Sequence, residues 1–197
     1  MHSSSHSTLK GIRFLASFAS IFLILFITSA DDKENLYKLL HDGEHFAIMR
    51  HALAPGTGDP DNFQLDDCSS QRNLSQDGRN QAKQVGEKLK ANGIESAQVY
   101  SSQWCRCLET AKLLNLGPVE ELPIINSFFR NFANRTPQTR ETIEWISEQD
   151  LSTPTLLVTH QVNITALIGT YPASGEIFIV LRQPNGDLKA VHSIDTD

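Results

Sequence analysis

Cysteine is scarce in this chain: three residues in 197, at Cys68, Cys105 and Cys107. Three cysteines exclude a disulfide-dense miniature fold. Cys105-x-Cys107, with no paired His or Cys nearby, also lacks the spacing of a zinc site, so no metal is expected. An excess of positive charge is missing too. The formal net charge is −6, which argues against nucleic acid or an anionic membrane surface as a partner. Any site for an anion must therefore be a local basic pocket in an acidic body. No internal repeat is present, and no low-complexity run or second domain follows the N-terminal segment.

Long apolar runs are confined to one place. Phe14 to Ile27 is broken only by Ser17 and Ser20, Lys10 and Arg13 precede it, and Thr28-Ser29-Ala30 followed by Asp31-Asp32 closes it. This layout predicts a secretory signal peptide over residues 1–30, cut after Ala30, ahead of a single domain at 31–197. The alternative is an uncleaved N-terminal membrane anchor, although the run is short of the roughly 20 residues of a full span. The expected location is exported, periplasmic or secreted, with membrane contact only if the segment stays uncleaved. Export permits a disulfide. Cys107 shares an apolar helical face with Trp104, Leu108, Ala111 and Leu114 and reads as a buried free thiol. Cys105 falls on a more polar face and is the better partner for Cys68 in its polar loop.

Strand and helix patterns alternate along the domain. Residues 44–49, 97–101 and 154–159 read as strands, and 76–92, 103–115, 137–149 and 161–169 as helices. Ser75 is a natural cap for the helix at 76, Asn92-Gly93 ends it, and Thr136 before Pro137 is the expected cap of the third helix. At the tail, 176–182 and 188–192 are strand-like around the turn Pro184-Asn185-Gly186-Asp187. The expected fold is α/β, a three-layer sandwich with a mainly parallel sheet and a C-terminal β-hairpin. In such sheets ligands sit at the carboxyl ends of the strands.

Chemistry-bearing residues fall at those ends. Arg50-His51 ends the first strand, the Ser102–Arg106 turn follows the second, and Leu157-Val158-Thr159-His160 ends the third. Two guanidiniums and two imidazoles delivered together suit a tetrahedral dianion. His51 is the candidate nucleophile, provided its other ring nitrogen donates to a carbonyl. Arg50 and Arg106 are candidate clamps for phosphoryl oxygens, and His160 a further donor. The loop at Gly56 and Thr57 allows close backbone approach to a phosphate, or is a plain flexible turn. Arg72 and Arg130 could read the rest of a ligand, with ordinary salt bridges the plainer reading. His41, His45 and His192 lack such neighbours and read as surface or packing residues.

Arg50-His51, the run Ser101-Ser102-x-x-x-Arg106-Cys107-x-Glu109-Thr110-Ala111, Val158-Thr159-His160 and Leu74-Ser75-x-x-Gly78-x-x-Gln81-Ala82 together resemble the histidine phosphatase superfamily, the phosphoglycerate mutase-like fold. The resemblance spans roughly residues 44–182. It implies hydrolysis of a phosphorylated substrate through a phosphohistidine on His51, with no metal or organic cofactor. Two departures stand out. Asn126 falls about where the mutase-like branch places its acid, and Gln161 follows His160 where the acid-phosphatase-like branch has Asp. The proton donor is then either in the loop after His51, where Asp59 and Asp61 lead a group with Asp66 and Asp67, or is not needed because the phosphoryl group is activated. The partners expected are a phosphorylated small molecule or an envelope sugar phosphate, as for the resembling lipopolysaccharide heptose-phosphate phosphatases. The rival from another class is a non-catalytic phospholigand-binding protein.

Overall fold

The structure is a computed structural model and describes residues 36–194. The expected signal peptide or anchor at 1–30 lies outside the described residues. Among the described residues no helix is long and apolar enough to cross a membrane.

The sheet has six strands: β1 His45–Arg50, β2 Gln98–Ser101, β3 Val119–Glu121, β4 Thr155–Thr159, β5 Ile177–Arg182 and β6 Leu188–Ile194. Their order is β3-β2-β4-β1-β5-β6. The first four run parallel, and β5 and β6 are antiparallel additions joined as a hairpin. Among the described residues, four helices of known extent flank it: α1 Gln76–Ala91, α2 Cys105–Leu114, α3 Arg135–Glu148 and α4 Gln161–Ile168.

The three layers follow from strand periodicity. Successive side chains point to opposite faces, so each central strand feeds two cores. Ala47, Met49, Leu156, Val158, Ile177 and Ile179 pack with Val85 and Leu89 of α1 and Ala111 and Leu114 of α2. Phe46, Ile48, Leu157, Phe178 and Val180 pack with Ile146 of α3 and Ile164 and Leu167 of α4. Burial on both sides explains the near-continuous apolar runs of β1, β4 and β5.

Several boundaries differ from expectation for physical reasons. Strand β3 was not expected, because Val119-Glu120-Glu121 has no apolar alternation; as the sheet's edge it exposes both glutamates. Thr136 is not the cap of α3. That helix starts at Arg135, whose N–H already donates to Phe132 O in the preceding 3-10 turn, so no capping side chain is used. Pro137 still sits in the first turn. Ser75 does cap α1, its Oγ accepting from Gly78 N at 3.0 Å. His45 is buried and binds Asp42 through Nδ1 at 2.7 Å, a packing role as expected.

Helices α1 and α2 approach so closely that one position must be glycine. A Cβ on Gly86 would lie 2.1 Å from Leu114 O, a backbone atom that cannot rotate away. Gly86→Ala is expected to cost about 1–3 kcal/mol through forced separation of the two helices. Thermal unfolding should show a drop of several degrees; an unchanged midpoint would mean that the helices do not meet there.

Candidate functional site

The parallel pairing of β1 with β4 continues one residue past both strands. His51 N donates to Thr159 O at 2.9 Å, and Ser102 N donates to Val158 O at 3.0 Å. The ladder thus sets His51, Ser102 and His160 side by side at the carboxyl edge of the sheet. The rings of His51 and His160 lie 5.6 Å apart, edge to face. They form the floor of a cavity of about 320 Å³. Arg50, His51, Gly56, Thr57, Asp59, Arg106 and His160 all line it, so the structure gathers these sequence candidates in one place. Arg72 and Arg130 line it as well, but Asp61 does not.

His51 is buried, and its Nδ1–H donates to Ala52 O at 2.8 Å. The tautomer is thereby set, and Nε2 keeps its lone pair. Burial, followed by the charge of Arg106, holds the ring well below its usual pKa, against the pull of the Ala52 carbonyl. At neutral pH it is an uncharged imidazole.

Three guanidiniums surround it. Arg50 donates through Nη1 to Pro172 O at 3.0 Å. Arg72 is pinned by Gly58 O at 2.7 Å and by Ala54 O, and burial with the nearby Arg106 brings it down to about 10. Its partners are backbone carbonyls rather than the salt bridge expected. Arg106 enters from the second position of α2 and is almost wholly buried. Among the described residues, three buried side-chain polar atoms lack a hydrogen-bond partner: Arg50 Nε, Arg106 Nε and Asn163 Oδ1. Two of the three belong to arginines that line this cavity.

Asp59 is present as a counter-ion. Its carboxylate takes Arg106 Nη1 at 2.7 Å and Nη2 at 3.3 Å, Trp104 Nε1 at 3.1 Å and Arg72 N at 3.1 Å. Burial raises its pKa, but the Arg106 bond and charge, with the other donors, outweigh this and hold the carboxyl below its ordinary range. A carboxylate with four donors carries no proton to give, which corrects the expectation of Asp59 as general acid. Asp61 is corrected for a different reason: its side chain is fully exposed and faces Arg130 at 3.5 Å, outside the cavity.

The position expected for the acid also has a use. Asn126 Oδ1 accepts Gln103 N at 2.8 Å and Ser102 Oγ at 3.1 Å, and Ser102 Oγ lies 2.8 Å from His160 Nε2. His160 Nδ1 lies 3.4 Å from Arg106 Nη2. Every partner is satisfied when Arg106 donates to Nδ1, Nε2–H donates to Ser102, and Ser102 donates to Asn126. His160 then acts on the cavity through Arg106, with its own N–H turned away. Gln161 lines the cavity and binds Thr165 Oγ1.

Cys68 and Cys105 form a disulfide, with Cα atoms 5.7 Å apart, and tie the loop after His51 to the start of α2. Cys107 is the free, buried thiol expected, pushed up to about 12 by burial. Its Sγ lies 3.5 Å from His160 Nε2, so it packs directly beneath the floor. No group of His, Cys, Asp and Glu among the described residues could hold a metal ion. The feature that the sequence reading missed is the wall. Phe63 and Trp104 stack with centroids 5.1 Å apart, and Phe129 and Tyr171 stand beside the same cavity. The signal was there, since Trp104 lies within the Ser101-to-Arg106 motif, but the rings come from four separate segments.

Residues 46–128 match the model of the histidine phosphatase superfamily (branch 1), the family that the motifs resemble. No curated protein matches the chain in sequence. Solved structures share the fold at low identity. The protein histidine phosphatase SixA complexed with tungstate aligns at a TM-score of 0.56 and 16% identity, over 77% of this chain and 97% of that one. Bacillus stearothermophilus YhfR aligns at 0.58 and 15%, over 78% and 96%. A phosphoserine phosphatase mutant from Entamoeba histolytica, in complex with phosphoserine, aligns at 0.54 and 15%, over 78% and 98%.

The Asp59–Arg106 pair has a pH signature. A carboxyl whose folded pKa is lowered contributes stability that is complete above its unfolded value, about 4, and is lost as pH falls through the folded value. Asp59→Asn should therefore cost about 3 kcal/mol at neutral pH, by leaving Arg106 buried without a counter-ion. Below the ordinary carboxyl range the gap to wild type should close. Unfolding midpoints across pH 2–7 test this; a constant gap over that range would remove Asp59 as the charged partner.

Proposed function

We propose that this histidine phosphatase superfamily chain is a phosphatase that takes the phosphoryl group of its substrate onto Nε2 of His51. The observation that carries this reading is the Nδ1–Ala52 O bond, which aims an unprotonated nitrogen into a cavity of guanidiniums. Attack forms an N–P bond as the bond to the leaving group breaks and the leaving group departs with the electron pair. Water then forms a new P–O bond, the N–P bond breaks, and inorganic phosphate leaves. Arg50 and Arg106, which both line the cavity, stabilise the charge on the oxygens. A protein that only bound phospholigands would need the arginines but not the oriented lone pair, which favours turnover over the binding-only alternative.

The proton donor is the reading's second part. With Asn126 engaged to Ser102 and Gln103, Asp59 ionised, and Gln161 at the remaining position, nothing supports a general acid. Substrates should therefore be those whose leaving group needs little protonation. We also place the protein outside the cytoplasm, exported to the periplasm or secreted. The apolar run before Ala30 and the Cys68–Cys105 pair support that placement.

Three outcomes are expected. His51→Ala should abolish turnover without unfolding the protein. A phosphoenzyme stable to alkali should be trapped in wild type and absent from the mutant, and substantial turnover by the mutant would sink the mechanism. Arg106→Lys keeps the charge but loses the fork, so kcat/KM should fall by about 2–4 kcal/mol equivalent; a near-wild-type rate would place Arg106 outside the phosphate contacts. Across a series of aryl and alkyl phosphates, log kcat/KM should fall steeply as leaving-group pKa rises. A flat series would mean that a proton donor operates after all.

A further inference from the structure

The cavity is built from two chemistries, and only the floor is explained by a phosphoryl group. Above the arginines the walls are aromatic. Phe63 stacks on Trp104, and Trp104 in turn meets His160 edge to face at 5.3 Å. Phe129, 41% exposed, and Tyr171, 71% exposed, line the same cavity. These are large apolar or amphipathic rings left in contact with solvent around a basic pocket, in a chain whose other large side chains are mostly buried. Rings held part-exposed at a cavity are contact surface for a flat ligand, which gains both burial and edge or face contacts.

The rings are also positioned rather than loose. Trp104 is fixed through Nε1 to Asp59, whose carboxylate is fixed to Arg106. The segment that carries Phe129 is tied across the cavity mouth by the next residue, Arg130, which donates to Pro60 O at 3.2 Å and to Asp59 O. The same charge cluster that organises the floor therefore sets the spacing of the walls. Polar side chains stand beside the rings as well: Thr57, Ser127, Asn131 and Gln161 line the same cavity. Asp59 is already saturated, and Glu side chains are absent from the lining.

We propose that the leaving group of the substrate is a flat aromatic ring carrying the phosphoryl group, held between the Phe63–Trp104 stack and Phe129. This rests on the phosphatase reading and narrows its substrate class. It is also the leaving-group chemistry that a site without a proton donor favours, because an aryloxide, or a neutral imidazole leaving from its ring-protonated N-phosphoryl form, departs more readily than an alkoxide. Two sources share this chemistry: a phosphate ester of a phenol and an N-phosphorylated imidazole.

Binding separates the proposal from the phosphatase reading, since phosphonates bind but do not react. On the full-length protein at a pH where all three are dianions, phenylphosphonate should bind about tenfold tighter than methylphosphonate by calorimetry. Cyclohexylphosphonate, apolar but not flat, should fall well below phenylphosphonate. Phe129→Ala should cut the phenyl-to-methyl ratio several-fold while the unfolding midpoint stays near wild type. Equal affinity for phenyl and methyl, or for cyclohexyl and phenyl, overturns the ring selectivity even if turnover is seen. Ring selectivity without turnover of any phosphoryl donor overturns the phosphatase reading and, with it, the ring's role as a leaving group, and leaves only a ring-selective site for phospholigands. Comparing kcat/KM for phosphotyrosine, N-phosphohistidine and a hexose phosphate then identifies the source; preference for the hexose phosphate overturns the proposal.

Discussion

The site depends on a solution to a charge problem. Arg50, Arg72 and Arg106 converge on one cavity beside two neutral histidines. Like charges a few ångströms apart repel by on the order of a few kcal/mol even where water screens them. The protein does not dilute this charge; it adds one carboxylate. Asp59 binds Arg106 through two oxygens, takes the amide of Arg72 and holds Trp104. Because Asp59 lies in the loop after His51, closing the ion pair also folds that loop onto the start of α2, where the Cys68–Cys105 bond secures it a second time. Loop, helix start and aromatic wall are consequences of neutralising one guanidinium. The remaining positive charge is what an anion meets.

Much of this was legible in the sequence. Apolar runs in β1, β4 and β5 announced a sheet covered on both faces, and the Ser75 cap announced α1. The chemistry was legible because it sits at strand ends or just beyond them: Arg50, His51 and His160 reach the cavity from the ends of β1 and β4, and Arg106 joins them from the start of α2. The disulfide followed from Cys107 facing the core and Cys105 facing away. What was not legible depended on partners distant in sequence. Asp59 looks the same on paper whether it donates a proton or accepts four hydrogen bonds; only its contact with Arg106 decides. Arg72 looked like a surface cation, but Gly58 O and Ala54 O hold it inward. Strand β3 was invisible because an edge position needs little apolar character.

Asn126 shows how a departure from a family pattern can carry information. A carboxyl expected there would serve the leaving group. The amide instead offers one oxygen to two donors, Gln103 N and Ser102 Oγ, and so fixes the direction of a hydrogen-bond chain that ends at His160 and Arg106. A buried chain of this kind is stable only when each member is satisfied. The amide that stands where a carboxyl was expected thus supplies a rigid supporting layer beneath the sheet edge.

The continuation of the β1–β4 ladder into His51 has an implication for quality control. Side chains on a strand alternate between faces, so a shift of one residue in pairing would carry Arg50 and His51 to each other's side of the sheet. The core would notice, because Ile48 and Met49 would trade layers, but a partly slipped chain could still be compact and soluble. It could not hold the His51 ring against Ala52 O or its amide against Thr159 O. A histidine mounted at the end of a ladder is therefore a gauge of registry. If His51 carries the phosphoryl group as proposed, the fraction of molecules that form a phosphoenzyme counts the correctly threaded sheets in a preparation, a quantity that size and secondary-structure content do not report.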